Sequence, residues 1–261
     1  MRRRLPVVLA LLSGALASRA APARAGDPFE IQVYDGTAND PGAVGLEMHL
    51  NDWVTGHRDS TLAEPQAPLH GQFHATLEPS LGLKPWWELG AYFQMAVRED
   101  DGVVDWAGVK LRSKFVTPPG WDPHWRLGVN LELSYLPATY DSDRWGSEVR
   151  PIVAWQDEDW LFALNPIVDQ SLAGSGASDG PGLQPAAKAA RTVGPVALGL
   201  EYYATLGPFS AILPLREQEH YLYEVVDLLS VDRLELDAGI GEGLTPTSAG
   251  VVVKTIVGYM F

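Results

Sequence analysis

Apolar and polar residues alternate along most of the chain, and the alternating stretches are long. The clearest one runs from His124 to Tyr135, where every second residue is apolar and the residues between are mostly polar. A period of two residues predicts a β-strand whose two faces meet different surroundings. The first five stretches have ten to thirteen residues, whereas strands of soluble proteins usually have about five or six. The pattern therefore predicts strands long enough to cross a bilayer.

Twelve such strands can be placed from residue 44 onward. They are Val44–Trp53, His70–Gly82, Trp86–Arg98, Val103–Phe115, His124–Tyr135, Ser147–Trp155, Asp159–Val168, Pro185–Thr192, Val196–Thr205, Glu219–Asp227, Asp232–Glu242 and Ala249–Phe261. Pro151 and Pro166 fall inside two of them, where a proline removes a ladder donor. Phe29–Asp35 also alternates but is set off by the break at residues 36–41. It is either a periplasmic or lumen-inserted segment, or it pairs in the wall in place of a weaker strand.

The connections between the strands alternate in length and polarity. Short turns fall near residues 83–85, 116–123, 156–158, 193–195 and 228–231, and longer or more polar connections fall near 54–69, 99–102, 136–146, 169–184, 206–218 and 243–248. Transmembrane barrels have short turns at one rim, longer loops at the other, and an even number of strands. The alternation therefore predicts a single antiparallel barrel with both termini at the short-turn rim.

The tryptophans cluster near the predicted strand ends. Those that flank short turns are Trp86, Trp87, Trp121, Trp125, Trp155 and Trp160, and those near the opposite ends are Trp53, Trp106 and Trp145. A barrel in lipid carries girdles of aromatic residues at both interfaces. Ordinary core tryptophans would not be expected to cluster in this way, so the positions favour two girdles.

The last stretch, Gly250 to Phe261, ends in Phe261 with Tyr259 two residues earlier. In these residues and in its recurring strands the chain resembles Gram-negative outer-membrane β-barrel proteins, whose final strand typically ends in this way. The resemblance implies an all-β protein in the cell outer membrane, in contact with outer-membrane lipid and lipopolysaccharide. It also implies that the barrel-assembly machinery recognises Tyr259 and Phe261.

The N-terminus has the order of a secretory signal peptide. Three arginines precede an apolar run, Leu5 to Leu16, that is too short to span a bilayer, and the small-residue site Ala23-Arg24-Ala25 follows. We expect cleavage after Ala25, with residues 26–43 as an N-terminal periplasmic or lumenal segment and residues 44–261 as the barrel. The alternative is that residues 1–25 are retained as an anchor helix.

Composition narrows the possible functions. The formal net charge is −14, which argues against nucleic-acid binding because phosphate contacts require clustered Lys and Arg. The chain has no cysteine, so it has neither a disulfide framework nor a lipid-modified N-terminal cysteine. After the signal there is no run of 18 or more apolar residues, which excludes a helical membrane protein.

The strand faces opposite the apolar ones are rich in charge, so an enclosed lumen would be charged. The residues that we expect to line a pore are Lys110, Arg112, Lys114, Arg126, Arg150, Glu88, Glu132, Glu47, His49 and His74. The basic stripe in this set would favour anionic solutes. The alternative is that these side chains pair across strands and fill a narrow lumen, for example as a chain of Glu88, Lys114 and Arg126.

Two histidines are candidates for a metal site. His49 and His74 project to the same interior face of neighbouring strands, with Glu47 and Glu78 nearby, and would be directly opposite if the hairpin register follows the loop ends. These residue types bind divalent metals. Two ordinary lumenal histidines are the alternative, and we expect no metal and no cofactor.

Loop acids and a lipid-facing serine are the other candidates for chemistry. The acidic loop residues, which could bind divalent cations or be merely solvated, are Glu99, Asp100, Asp101, Asp141 and Asp143.

A lipid hydrolase needs a nucleophile beside a base, and Ser113 on the lipid face has no evident base. The chain also lacks a G-x-S-x-G motif. We therefore expect no catalytic residues and no enzymatic activity.

These observations predict a narrow channel or passive transporter for small solutes, whose identity the sequence leaves open. The second hypothesis is a closed structural or surface-interaction barrel that acts through its external loops, notably residues 54–69, 136–146 and 169–184. An outer-membrane lipid-modifying enzyme is the third.

Overall fold

The computed structural model describes residues 27–58, 67–98, 102–229, 231 and 233–261. These residues form the strands β1 (Val44–Trp53), β2 (Gln72–Lys84), β3 (Trp87–Arg98), β4 (Val104–Val116), β5 (Trp125–Tyr135), β6 (Trp145–Gln156), β7 (Trp160–Ser171), β8 (Gly182–Val193), β9 (Val196–Thr205), β10 (Gly207–Pro208), β11 (Glu219–Leu228), β12 (Leu234–Gly243) and β13 (Val251–Met260). Two single-turn 3-10 helices cover Ser175–Ser178 and Leu215–Glu217. In the part of the chain described here, no helix is long and apolar enough to cross a membrane.

Some sequence predictions concern residues that lie outside these ranges. They are the signal peptide of residues 1–25, residues 59–66 of the first long loop, and the loop acids Glu99, Asp100 and Asp101.

The long strands close into one barrel. Each pairs antiparallel with its neighbours along the chain, β9 pairs directly with β11, and β13 returns to β1 with Gly45 opposite Met260 and Asp52 opposite Val253. The two-residue β10 adds only a short pairing with the start of β8. The prediction of an all-β, single antiparallel barrel of twelve long strands is confirmed.

Strand boundaries match the predictions best in the first half of the barrel. β1 covers the predicted residues, whereas β6 and β8 extend beyond the predicted Ser147–Trp155 and Pro185–Thr192 at both ends. Prolines account for the poorer match in this part of the barrel, because β6, β7 and β8 each contain one and a proline cannot donate a ladder hydrogen bond. Pro166 faces Pro185, and no ladder pair joins β6 to β7 between Val149–Val168 and Val153–Leu164.

The two faces of the wall differ as the alternation predicts. Outward side chains such as Leu77, Phe93 and Leu111 are 39%, 49% and 60% exposed, whereas their inward neighbours along the strands are mostly buried and polar. An apolar exterior is the surface that a barrel presents to hydrocarbon, since lipid tails cannot hydrate charge.

Six girdle tryptophans are exposed at the strand ends, as expected: Trp86, Trp106, Trp121, Trp125, Trp145 and Trp160. The placement of Trp53 in the outer girdle is wrong. Its side chain is 3% exposed and packs edge-on against Tyr221 inside the barrel. The period of two explains this, because Trp53 shares the inward face of β1 with His49 and Asn51.

Residues 27–36, the lumenal segment, lie inside the barrel rather than in its wall. Phe29, Ile31, Val33 and Tyr34 are each at most 6% exposed. Ile31 and Val33 pack in two small apolar clusters with inward side chains of the last strands and of β6 to β8, respectively. The segment therefore occupies the middle of the lumen.

Candidate functional site

Side chains of the wall bind the backbone of the lumenal segment. The side-chain amide of Asn165 accepts a hydrogen bond from the Tyr34 N–H (2.7 Å) and donates one to the Tyr34 carbonyl (3.0 Å). Asn51 donates to the Pro28 carbonyl at 3.1 Å, and Lys254 donates to the Ile31 carbonyl at 3.2 Å. A buried peptide group without a partner is costly, so these bonds replace a neighbouring strand for the segment.

Glu30 is the charged anchor of the lumenal segment. Its fully buried carboxylate lies 3.0 Å from the Arg150 guanidinium and 3.3 Å from the Lys110 amine, and it accepts a hydrogen bond from the Tyr34 hydroxyl at 3.0 Å. The Tyr34 hydroxyl also meets that of Tyr92 at 2.6 Å. Burial alone would raise the pKa of Glu30, but Arg150 and Lys110, together with His49 and the hydrogen bond from Tyr34, outweigh it and lower the pKa to about 2. The anchor is therefore ionised at neutral pH.

Every basic residue predicted to line a pore points inward and has an acidic partner. Arg112 contacts Glu78 and Glu88, Lys114 contacts Glu88, Lys110 contacts Asp27, Glu30 and Glu132, Arg126 contacts Asp35, and Arg150 contacts Glu30 and Glu148. Acidic groups thus compensate the positive charge of the stripe. Glu88 and Glu132 do so from neighbouring strands, as the alternative to an anion-selective wall expects, whereas Asp27, Glu30 and Asp35 do so from the lumenal segment.

The predicted chain of Glu88, Lys114 and Arg126 is only partly present. Lys114 lies 3.0 Å from Glu88, but Arg126 contacts Asp35 of the lumenal segment at 3.1 Å instead. The lumenal segment supplies partners that strand pairing alone does not reveal.

The prediction that His49 and His74 are directly opposite is wrong. The register between β1 and β2 places His49 opposite Thr76 and His74 opposite Asn51, because the hairpin pairs Trp53 with Gln72. His74 bonds to the Gln72 side chain at 2.7 Å and to the Pro28 carbonyl at 3.1 Å, and its ring stacks on Phe29. His74 therefore supports the lumenal segment.

His49 instead joins two carboxylates. Its Nε2 atom lies 3.0 Å from a Glu78 oxygen and 3.7 Å from a Glu47 oxygen, and one ligand atom from each of the three residues lies within 4.8 Å of the others. This is the group of described residues whose geometry can hold a metal ion.

A cavity of about 390 Å³, here called the external vestibule, opens at the long-loop rim. It reaches from loop residues such as Asp179 to Lys110, halfway along β4, and its floor is the start of the lumenal segment. The acidic residues along it are Asp27, Glu132, Asp141, Asp143, Glu148, Asp169, Asp179 and Glu219. Lys110 is the one Lys or Arg among the described lining residues. Carboxyl groups therefore predominate in the vestibule lining, in contrast to the anion-favouring wall expected from the basic stripe.

Sequence patterns did not indicate several residues that shape the lumen. Asp27, Glu30 and Tyr34 lie in a segment outside the strands, and Asn165 is an ordinary inward position beside a proline. The alternation of Phe29–Asp35 is the signal that was available. It showed that this segment has two faces but not which strands would contact them.

Ser113 has no arrangement for nucleophilic catalysis in the described structure. Its hydroxyl accepts a hydrogen bond from the Trp87 indole N–H at 2.9 Å. Both side chains lie on the outward face near the short-turn rim, where this bond satisfies a polar group beside lipid.

Comparison with known proteins identifies the fold through solved structures. No family model matches the chain, and no curated protein does. An outer-membrane channel from Pseudomonas putida is 13% identical, with a TM-score of 0.61 over 89% of this chain and 100% of that one. The NanC porin is 8% identical, with a TM-score of 0.56 over 83% and 98%. The KdgM porin, solved in complex with disordered oligogalacturonate, is 10% identical, with a TM-score of 0.50 over 84% and 99%. The chain has the barrel fold of outer-membrane porins and channels.

Proposed function

We propose that this protein is a narrow outer-membrane channel through which small solutes pass passively. The observation that carries the proposal is a charged lumen inside a lipid-facing barrel, with an external vestibule of about 390 Å³ that reaches the middle of the wall. A barrel with only a structural role does not need an open vestibule of this size. The porins and channels of similar fold support the same class of function.

The lumenal segment limits what can pass. It lies across the lumen below the vestibule and is held by Glu30 and by backbone bonds to Asn165, Asn51 and Lys254. Solutes must pass beside this segment or wait for it to move. The channel is therefore narrow, and its conductance depends on how firmly the segment is seated.

The localisation and partners follow from the same proposal. The chain is exported by residues 1–25, cleaved after Ala25, and inserted in the outer membrane, where its exterior meets lipid and lipopolysaccharide. Tyr259 and Phe261, which are 44% and 66% exposed, are the residues that the barrel-assembly machinery would recognise. The proposal assigns the protein no catalytic role.

Planar-bilayer recording of the purified protein tests the proposal. We expect small, discrete conductance steps. Absence of steps in every salt tested, together with no swelling of proteoliposomes in small sugars or amino acids, would refute it. That result would favour the closed surface-interaction barrel, for which the dense anchoring of the lumenal segment is the supporting observation. Turnover of lipid by the same preparation would indicate an enzyme.

A further inference from the structure

Three glutamates lie in one row around the barrel near the short-turn rim. Glu78 on β2 is opposite Glu47 on β1, Glu47 is opposite Gly258 on β13, and Gly258 is opposite Glu235 on β12. Gly258 leaves the space that the two flanking side chains use, because a Cβ there would lie 3.0 Å from the Cγ of Glu47 and 3.1 Å from the Cβ of Glu235. Like charges at opposed positions of a sheet are destabilising, so this row needs compensation.

The neighbouring basic residues compensate only part of this charge. Arg112 contacts Glu78 and Glu88, and Lys114 contacts Glu88. Among the described residues, no Lys or Arg lies within salt-bridge distance of Glu47 or Glu235. The nearby Asp35 and Arg126 form an ion pair with each other, so together they add no net charge to this row. In the state that metal binding requires, with the four carboxylates ionised and His49 neutral, four glutamates and two cations leave an excess of two negative charges, which is the charge that one divalent cation supplies.

The geometry at His49 fits such a cation. Ligands that lie about 2.0 to 2.2 Å from a tetrahedral metal are roughly 3.3 to 3.6 Å from one another. The His49 Nε2 atom is 3.0 Å and 3.7 Å from the carboxylate oxygens of Glu78 and Glu47, so these two distances need shifts of only a few tenths of an ångström. One oxygen of Glu47 and one of Glu78 lie within 4.8 Å of each other, close enough for side-chain rotation to bring both to one ion. Arg112 contacts the other oxygen of Glu78 and can orient this carboxylate as the outer partner of a ligand does.

We propose that Glu47, His49 and Glu78 bind a divalent transition-metal cation such as Zn²⁺, with Glu235 beside them as the source of a fourth oxygen. The imidazole decides the class of metal, because Mg²⁺ and Ca²⁺ prefer oxygen ligands alone. Glu47 lies three residues into β1, and its side chain is 21% exposed, so the ion enters from the short-turn side. The proposal does not depend on whether the barrel conducts.

The test is Zn²⁺ binding to the full-length mature protein purified in detergent, measured by titration calorimetry after chelator treatment. We expect one tight site. His49→Gln and Glu47→Gln should each weaken binding by at least about 10-fold, the lower end of the loss seen when even an outer partner of a ligand is removed. His74→Gln is the matched control and should bind Zn²⁺ like the unmodified protein, because His74 contacts Gln72 and Pro28 rather than a carboxylate.

X-ray absorption of the Zn²⁺-loaded, unmodified protein provides a readout that does not depend on folding of the variants. We expect the Zn²⁺ ion to be coordinated by one imidazole nitrogen and otherwise by oxygen atoms. Absence of stoichiometric binding, a shell with two or more imidazoles, or equal affinity in correctly folded His49→Gln would overturn the proposal. Those results would mean that His49 only donates a hydrogen bond to Glu78, or that Zn²⁺ binds surface histidines.

Discussion

Glu30→Gln should release the lumenal segment. The substitution preserves the size of the side chain and the hydrogen bond from Tyr34, but it removes the charge that Arg150 and Lys110 share. Removing one partner of a buried ion pair costs about 3 to 5 kcal/mol. The low end applies here because Arg150 keeps Glu148 and Lys110 keeps Glu132. A change of about 3 kcal/mol corresponds to a shift of roughly 100-fold between the seated and the displaced segment.

Asp35→Asn is the matched control on the same segment. The side chains of Asp35 and Arg126 are each 34% exposed in their pair, and exposed pairs contribute about 0.2 to 1 kcal/mol. The same acid-to-amide change should therefore alter the equilibrium by less than about 5-fold. Comparing the two variants therefore distinguishes the effect of removing a buried charge from the effect of removing any charge on the lumenal segment.

Two assays measure how often the lumenal segment is displaced. Hydrogen exchange of the Tyr34 amide, which the Asn165 side chain protects, should accelerate by roughly 100-fold in Glu30→Gln if exchange requires displacement of the segment. Single-channel recording should show more frequent or larger openings in the same variant. If Glu30→Gln and Asp35→Asn exchange at the same rate as the unmodified protein, the buried charge network does not hold the segment. A change in exchange without any conductance would preserve the anchoring argument and refute the channel.

Two further predictions concern the wall and the vestibule. Trp53→Ala should destabilise the barrel by about 3 to 5 kcal/mol in detergent unfolding because it empties a buried site, whereas outward Trp106→Ala should cost less than about 1 kcal/mol; equal costs would contradict the inward placement of Trp53. Reversal potentials in a salt gradient should show a preference for cations, which Asp179→Asn reduces, because carboxylates line the vestibule and Asp179 is an exposed one at its mouth. A preference for anions would contradict this reasoning.

The alternation of the sequence determined the wall of this protein. A period of two assigns each residue to a face whatever the register, so the strand number, the apolar exterior and the inward positions of Lys110, Arg112 and His49 could be read from one chain. The same rule places Trp53 inward, and the girdle interpretation failed there because it considered only the distance from the strand end. The order of the loops determined that β1 begins and β13 ends at the short-turn rim, but not that residues 27–29 would lie at the floor of the external vestibule.

Only the tertiary structure decided what fills the lumen. His49 faces Thr76 rather than His74 because the closing pair of the hairpin sets the register, and no local pattern specifies that pair. Glu30 meets Lys110 and Arg150 across 80 and 120 positions of the chain, and Tyr34 meets Asn165 across 131. Each inward side chain can contact any residue inside the closed barrel, however far away that residue is in the sequence. Charge compensation in the lumen is therefore a property of the closed barrel and cannot be assigned strand by strand.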